Sequence, residues 1–152
     1  MTNAKPTLAA EDAADLEIIS ARLQDAVARV GDLVWLPKAR RFAALFNRFK
    51  WETAEQRNGK GSNLRTRSGL HFDSVISARS TAINRGAPDA VLSLLAISFV
   101  QNGAEDPGGV VELLFAGGGK IRLEVECIDA GLTDLGGEWA ARARPRHQTE
   151  QT

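Results

Sequence analysis

The stretch Val110–Ile128, VVELLFAGGGKIRLEVECI, constrains the fold more than any other part of the chain. Ile121, Leu123, Val125 and Cys127 alternate with Arg122, Glu124 and Glu126. One apolar and one charged side at a period of two is the pattern of a half-buried strand. Val111, Leu113 and Phe115 repeat it more loosely before Gly117-Gly118-Gly119. Glycine reaches the positive φ angles of a tight reversal without steric cost. The stretch therefore predicts an antiparallel hairpin with one face on a core, and it counts Cys127 among the buried side chains.

A hairpin is marginal alone and needs further strands and a cover. A chain of 152 residues supplies them within one domain. That domain is expected over residues 9–140, between disordered ends at 1–8 and 141–152. Leu16, Ile19 and Leu23 recur at helical steps and predict an amphipathic helix from about Ala10 to Gln24, with Thr7 as N-cap. Residues 25–37 read as one strand broken at Gly31-Asp32, or two short ones. Arg41–Trp51 is aromatic-rich and read as a strand, although Phe42, Leu45, Phe46 and Phe49 also fit helical spacing.

Glu52–Asn63 is a polar loop, and Leu64–Phe72 and Val75–Ile83 are extended around Asp73-Ser74. Val91–Val100 is almost wholly apolar and predicts a central strand covered on both faces, followed by a turn-rich loop over Gln101–Gly109. Leu132 and Leu135 predict a short helix over Asp129–Leu135, ended by Gly136, with Trp139 packing back on the domain. The sum is an α+β fold. It has a single strongly curved antiparallel sheet of about six or seven strands, a roll or partial barrel in meander order. An N-terminal amphipathic helix and a short C-terminal helix accompany it, a plan shared by pleckstrin-homology-like folds.

Formal net charge is zero, but the charges are segregated. Lys38–Arg67 carries nine basic residues and two acidic ones, whereas Glu105–Glu138 carries eight acidic and two basic. Antiparallel pairing of the two blocks would set opposite charges side by side. Neutrality argues against a general polyanion binder. A single cysteine excludes an intramolecular disulfide. The N-terminus has no apolar run suited to a signal peptide, and no stretch approaches the ~18 apolar residues of a membrane span. A cytoplasmic location is the expectation, with no membrane partner.

Four phrases taken together are distinctive: DLEIISARLQDAVARVGDLVWLPKARRFAALFNRFKWE, RSGLHFDSVISARS, VLSLLAISF and FAGGGKIRLEVECIDAGLTDLG. In order and spacing the chain resembles small alphaproteobacterial proteins grouped as a domain of unknown function, DUF2948. The resemblance runs from about Leu16 to Trp139, and the loop Glu52–Asn63 departs from it. It implies a bacterial cytoplasmic protein and supplies no activity, cofactor or catalytic residue.

The residues themselves offer three functional readings. The first is a non-catalytic binding or scaffolding module, with an unidentified protein or small anionic ligand as partner. The second is an anion-binding protein, for a phosphorylated metabolite or RNA. It would use Arg40, Arg41, Arg48, Lys50, Arg65 and Arg67, which sit among Phe42, Phe49 and Trp51. The plainer account of that block is a solvated sheet face balanced by acidic strands. The third is an enzyme centred on His71 and Asp73, two residues apart on one strand face, where an acid orients an imidazole. No nucleophile in a diagnostic context accompanies them.

With one cysteine and two histidines no zinc set is present, no loop has calcium-binding spacing, and no cofactor is expected. Gly117-Gly118-Gly119-Lys120 lacks the length and the following helix of a phosphate loop. Glu112, Glu124 and Glu126 form an exposed acidic side with no assigned catalysis. Edge strands in such a sheet leave homo-oligomerisation open.

Overall fold

The computed structural model describes residues 8–49 and 65–135. Lys50, the loop over 52–63, Trp139 and the tail from 141 lie outside the described residues, as do residues 1–7 with Thr7. The element order is β1 (Leu8–Ala10), α1 (Ala13–Leu23), β2 (Val27–Arg29), β3 (Leu33–Leu36), β4 (Arg41–Phe49), β5 (Arg65–Phe72), β6 (Val75–Thr81), β7 (Val91–Gly103), β8 (Asp106–Phe115), β9 (Lys120–Val125) and β10 (Ala130–Asp134). The fold is a mostly antiparallel sheet with one helix, and the sheet does not close on itself.

The hairpin forms as its alternation predicts. β8 and β9 pair antiparallel, with Leu113 opposite Ile121 and Val111 opposite Leu123. Leu113, Phe115 and Leu123 are fully buried, and Val125 nearly so. Gly117 and Gly118 take φ values of 89° and 98°, so the reversal occupies backbone space that L side chains avoid. Cys127 is the exception. β9 ends at Val125, and Cys127 falls in the following bend, half-buried and outside the core. Ile128 takes the inward place instead.

The described residues form ten strands rather than six or seven, for identifiable reasons. Residues 130–134, expected as helix, are strand β10: Ala130 lies opposite Phe72 and Leu132 opposite Leu70, with β1 on the other edge. Pairing partners on both edges outweigh the weak two-leucine helical spacing. Leu8 and Ala10, expected at a loose end and a helix start, belong to β1. The helix starts later, where the Asp12 side chain accepts a hydrogen bond from the Asp15 N–H. The break at Gly31-Asp32 is a 3-10 turn separating β2 from β3. Gly31 is suited to that turn, since a Cβ there would stand 3.1 Å from the Pro88 side chain.

The strand order is β1-β10-β5-β4-β2-β7-β8-β9-β6, with β3 also on β4, so the meander expectation is corrected. β7 and β8 extend through the predicted loop at 101–109. β7 is not covered on both faces. A register shift between Leu94 and Ala96 turns both Leu94 and Ile97 inward, while Val91, Leu95 and Val100 face solvent. Past Ser93 the helix replaces β2 along that edge: Ser20 Oγ accepts from the Ile97 N–H at 2.9 Å. The core lies between α1 and the concave side of the sheet, where Leu16, Ile19 and Leu23 meet Phe46, Phe72, Leu94 and Leu113.

Curvature brings one end of this sheet, β6, round to the edge that β3 forms on β4. β5 and β6 are consecutive, but Ser74, at φ 60°, turns the chain between them. β6 pairs only with β9 and so ends the sheet. Its first residue nevertheless reaches the β3–β4 junction, where the Val75 N–H donates to the Arg40 carbonyl at 3.0 Å. β3 and β6 thus face each other across a seam.

Candidate functional site

The sequence-derived basic block does not form one patch. Arg40, in the left-handed conformation at φ 55°, ends the turn before β4 and donates from Nη1 to Glu126 at 2.9 Å. Arg41 donates to both oxygens of Asp73, at 2.7 and 3.2 Å. That hydrogen bond raises the Arg41 pKa above its ordinary value, against a smaller opposing effect of burial. Arg48 lies on the concave face with Phe42, Ala44 and Phe46, and only 3% of it is exposed. Its Nη2 donates to both oxygens of Asp134, at 3.1 and 3.0 Å, and its Nε donates to Ser68 Oγ at 3.2 Å. Arg67, opposite Asn47, is exposed on the other face. Arg65 pairs through its backbone with Phe49, and Lys50 lies outside the described residues. Two basic residues therefore meet the acidic C-terminal segment, Arg40 with Glu126 and Arg48 with Asp134, though neither pair joins strands that are hydrogen-bonded to each other.

His71 and Asp73 do share a face. His71 Nε2 stands 3.7 Å from Asp73 Oδ2, beyond hydrogen-bond range, and both carboxylate oxygens already accept from Arg41. The carboxylate orients a guanidinium rather than the imidazole.

The seam between β3 and β6 presents a different site. No backbone hydrogen bond joins these two strands among the described residues. The gap is tied at one end by Val75 to Arg40. At the other, the N–H groups of Val30 and Gly31 donate to the carbonyls of Ala90 and Pro88, each at 2.9 Å. Between the ties is a cleft of about 450 Å³. Leu33 and Trp35 of β3 share the inward face with Ala44 and Phe42, their partners on β4. Together with Val30, Phe42 and Ile121 they make an apolar floor. The opposite wall is Ala78 and Ser80 of β6 and Ile83 beyond it; the charged residues bordering the cleft are Arg79, on the outer face of β6 beside Arg122, and Arg85.

A small concave space with an apolar base and few polar groups is the usual form of a ligand site. Sequence reading missed it because its walls lie about forty residues apart and neither contains a motif. The one trace in the sequence is Arg79, the single charge within the otherwise uncharged strand VISARST.

The family model described as a protein of unknown function, DUF2948, matches residues 7–147. The chain belongs to this family. The match takes in both walls of the seam, all ten strands and the helix. No curated protein and no solved structure matches the chain. The DUF2948 assignment brings no activity with it, so function rests on the geometry. Among the described residues no helix is long and apolar enough to cross a membrane, and no cluster of metal-ligating side chains is present.

Proposed function

We propose that this DUF2948 protein is a non-catalytic binding module of the bacterial cytoplasm, and that its ligand occupies the seam cleft. The observation that carries the reading is the unclosed seam, an apolar-floored gap tied by main-chain hydrogen bonds at both ends. Burying apolar surface stabilises a fold by roughly 25 cal/mol per Å². A sheet that stops short of closure over Trp35 and Leu33 forgoes some of that stabilisation. A ligand that covers the floor recovers it. The ties at both ends favour a compact molecule over a chain running through. The volume falls within the roughly 300–1,000 Å³ of small-molecule sites.

The test is binding of N-phenyl-1-naphthylamine, an uncharged fluorescent probe of apolar clefts. The native protein should bind it saturably. Ala78→Leu and Ala78→Trp, which fill the cleft from β6, should weaken binding progressively while the cooperative thermal transition persists. Equal binding by the native protein and both filled variants would sink the reading.

A further inference from the structure

We infer that the ligand of the seam cleft is a small amphipathic anion, with its apolar body on the floor and its charged group held by Arg79 and Arg85. The inference rests on the cleft being the binding site and adds the chemical class of what it binds. Three observations lead to it.

Arg79 is placed against the ordinary logic of a sheet. Its cross-strand partner is Arg122. Like charges directly opposite one another destabilise an antiparallel pair. Arg122 is compensated on its far side by Glu112, at 3.4 Å. Arg79 has no carboxylate partner among the described residues. A glutamate at this edge position would have extended the alternating row Glu112–Arg122. The chain instead ends the row with a second cation, at the rim of the cleft.

Of the arginines elsewhere with described side chains, Arg22 and Arg67 also lack a carboxylate partner among the described residues, and the rest are paired. Arg29 lies near Asp32 and Asp89, Arg40 near Glu126, and Arg41 near Asp73. Arg85, like Arg79, has no such partner among the described residues, and it too lines the cleft. The residues around the cleft include Ser80 and two arginines and no carboxylate; Arg79 stands on the outer face of β6 beside Arg122 and so borders the cleft at its rim. The charged residues that border the cleft are thus both cationic in a chain of zero formal charge.

The remaining lining is apolar and includes the half-buried indole of Trp35. An indole gives a flat contact surface at low conformational cost. Guanidinium forks donate to carboxylate and phosphate oxygens alike. Inorganic phosphate alone would leave the floor uncovered, and a hydrocarbon would leave the cations unanswered.

The experiment compares two naphthalene probes of similar body. One is 8-anilino-1-naphthalenesulfonate, which is anionic, and the other is the neutral N-phenyl-1-naphthylamine. Arg79→Glu, Arg85→Glu and the double variant are titrated with both. The sulfonate should bind the double variant about tenfold more weakly than the native protein, with the neutral probe unchanged. Arg79→Glu converts a like-charge pair into an attractive one, so it should melt no lower than the native protein and lose affinity nonetheless. Arg85→Glu lies outside the strands and repeats the test without touching the sheet.

Displacement of the sulfonate by 1-naphthyl phosphate, by decanoate or by both then tells an aryl phosphate from an aliphatic carboxylate. Displacement by neither overturns the inference. So does unchanged sulfonate affinity in the double variant while the neutral probe still binds, and the cleft then survives as an apolar site. Failure of the neutral probe to bind the native protein removes the cleft itself.

Discussion

Arg48 shows how one residue reads differently alone and in its sheet. In the chain it belongs to a basic run. In the structure it continues the concave row Phe42, Ala44, Phe46, and its β5 neighbours on that face change from Phe72 and Leu70 to Ser68 and Thr66. The basic run pointed to an anion-binding side chain, so neither the burial of Arg48 nor its carboxylate partner, 86 positions away, was legible. Removing one partner of a buried ion pair costs about 3–5 kcal/mol. Asp134 is partly exposed, so Asp134→Ala should destabilise the protein by about 3 kcal/mol in urea unfolding. Thr66 predicts the opposite sign. Its Oγ1 is buried and, among the described residues, without a hydrogen-bond partner. Thr66→Val removes that desolvated hydroxyl at nearly constant shape and should stabilise by about 1 kcal/mol. A stabilised Asp134→Ala, or a Thr66→Val that costs stability, would contradict this account of the cluster.

Elements were legible where a period of two or 3.6 met a single buried face. The β8–β9 hairpin, β4 and α1 are such cases. β10 was not, because Ala130, Gly131 and Leu132 are all buried and no alternation survives two-sided cover. β7 misled in the other direction: its bulge lets one face collect Leu94 and Ile97 three residues apart, so an apolar run passes for two covered faces. The helix is joined to this bulged strand by chemistry that periodicity does not register. Ser20 falls on the half-buried flank of α1 and accepts from a β7 amide that β2 no longer reaches. Ser20→Ala should leave the Ile97 N–H unpaired and cost about 1 kcal/mol, while Ser20→Thr retains the acceptor and should cost less. Equal loss in the two variants would assign the effect to packing instead.

At the scale of the whole molecule, the seam follows from strand order, which local pattern does not encode. β2 and β3 are one strand interrupted by a 3-10 turn, so β4 is flanked by β2 near one end and by β3 near the other. The β2 portion continues the sheet to β7, whereas β3 has no further strand beside it among the described residues. β6, at the far end of the curled sheet, stops opposite that free edge. Backbone amides facing the gap have no strand to pair with, in contrast to β8, which is paired on both edges. Amide hydrogen exchange reports this difference directly, because protection follows the free energy of opening each hydrogen bond. β8 should exchange most slowly, and β3 and β6 should each contain a set of fast amides. Saturation with 8-anilino-1-naphthalenesulfonate should slow exchange in 33–36 and 75–83 and leave β1 unchanged, since β1 is an edge on the far side of the sheet. Uniform slowing across all strands would indicate general stabilisation by ligand linkage without a local site. Slowing confined to β1 and α1 would place the ligand elsewhere and leave the seam an unfinished edge.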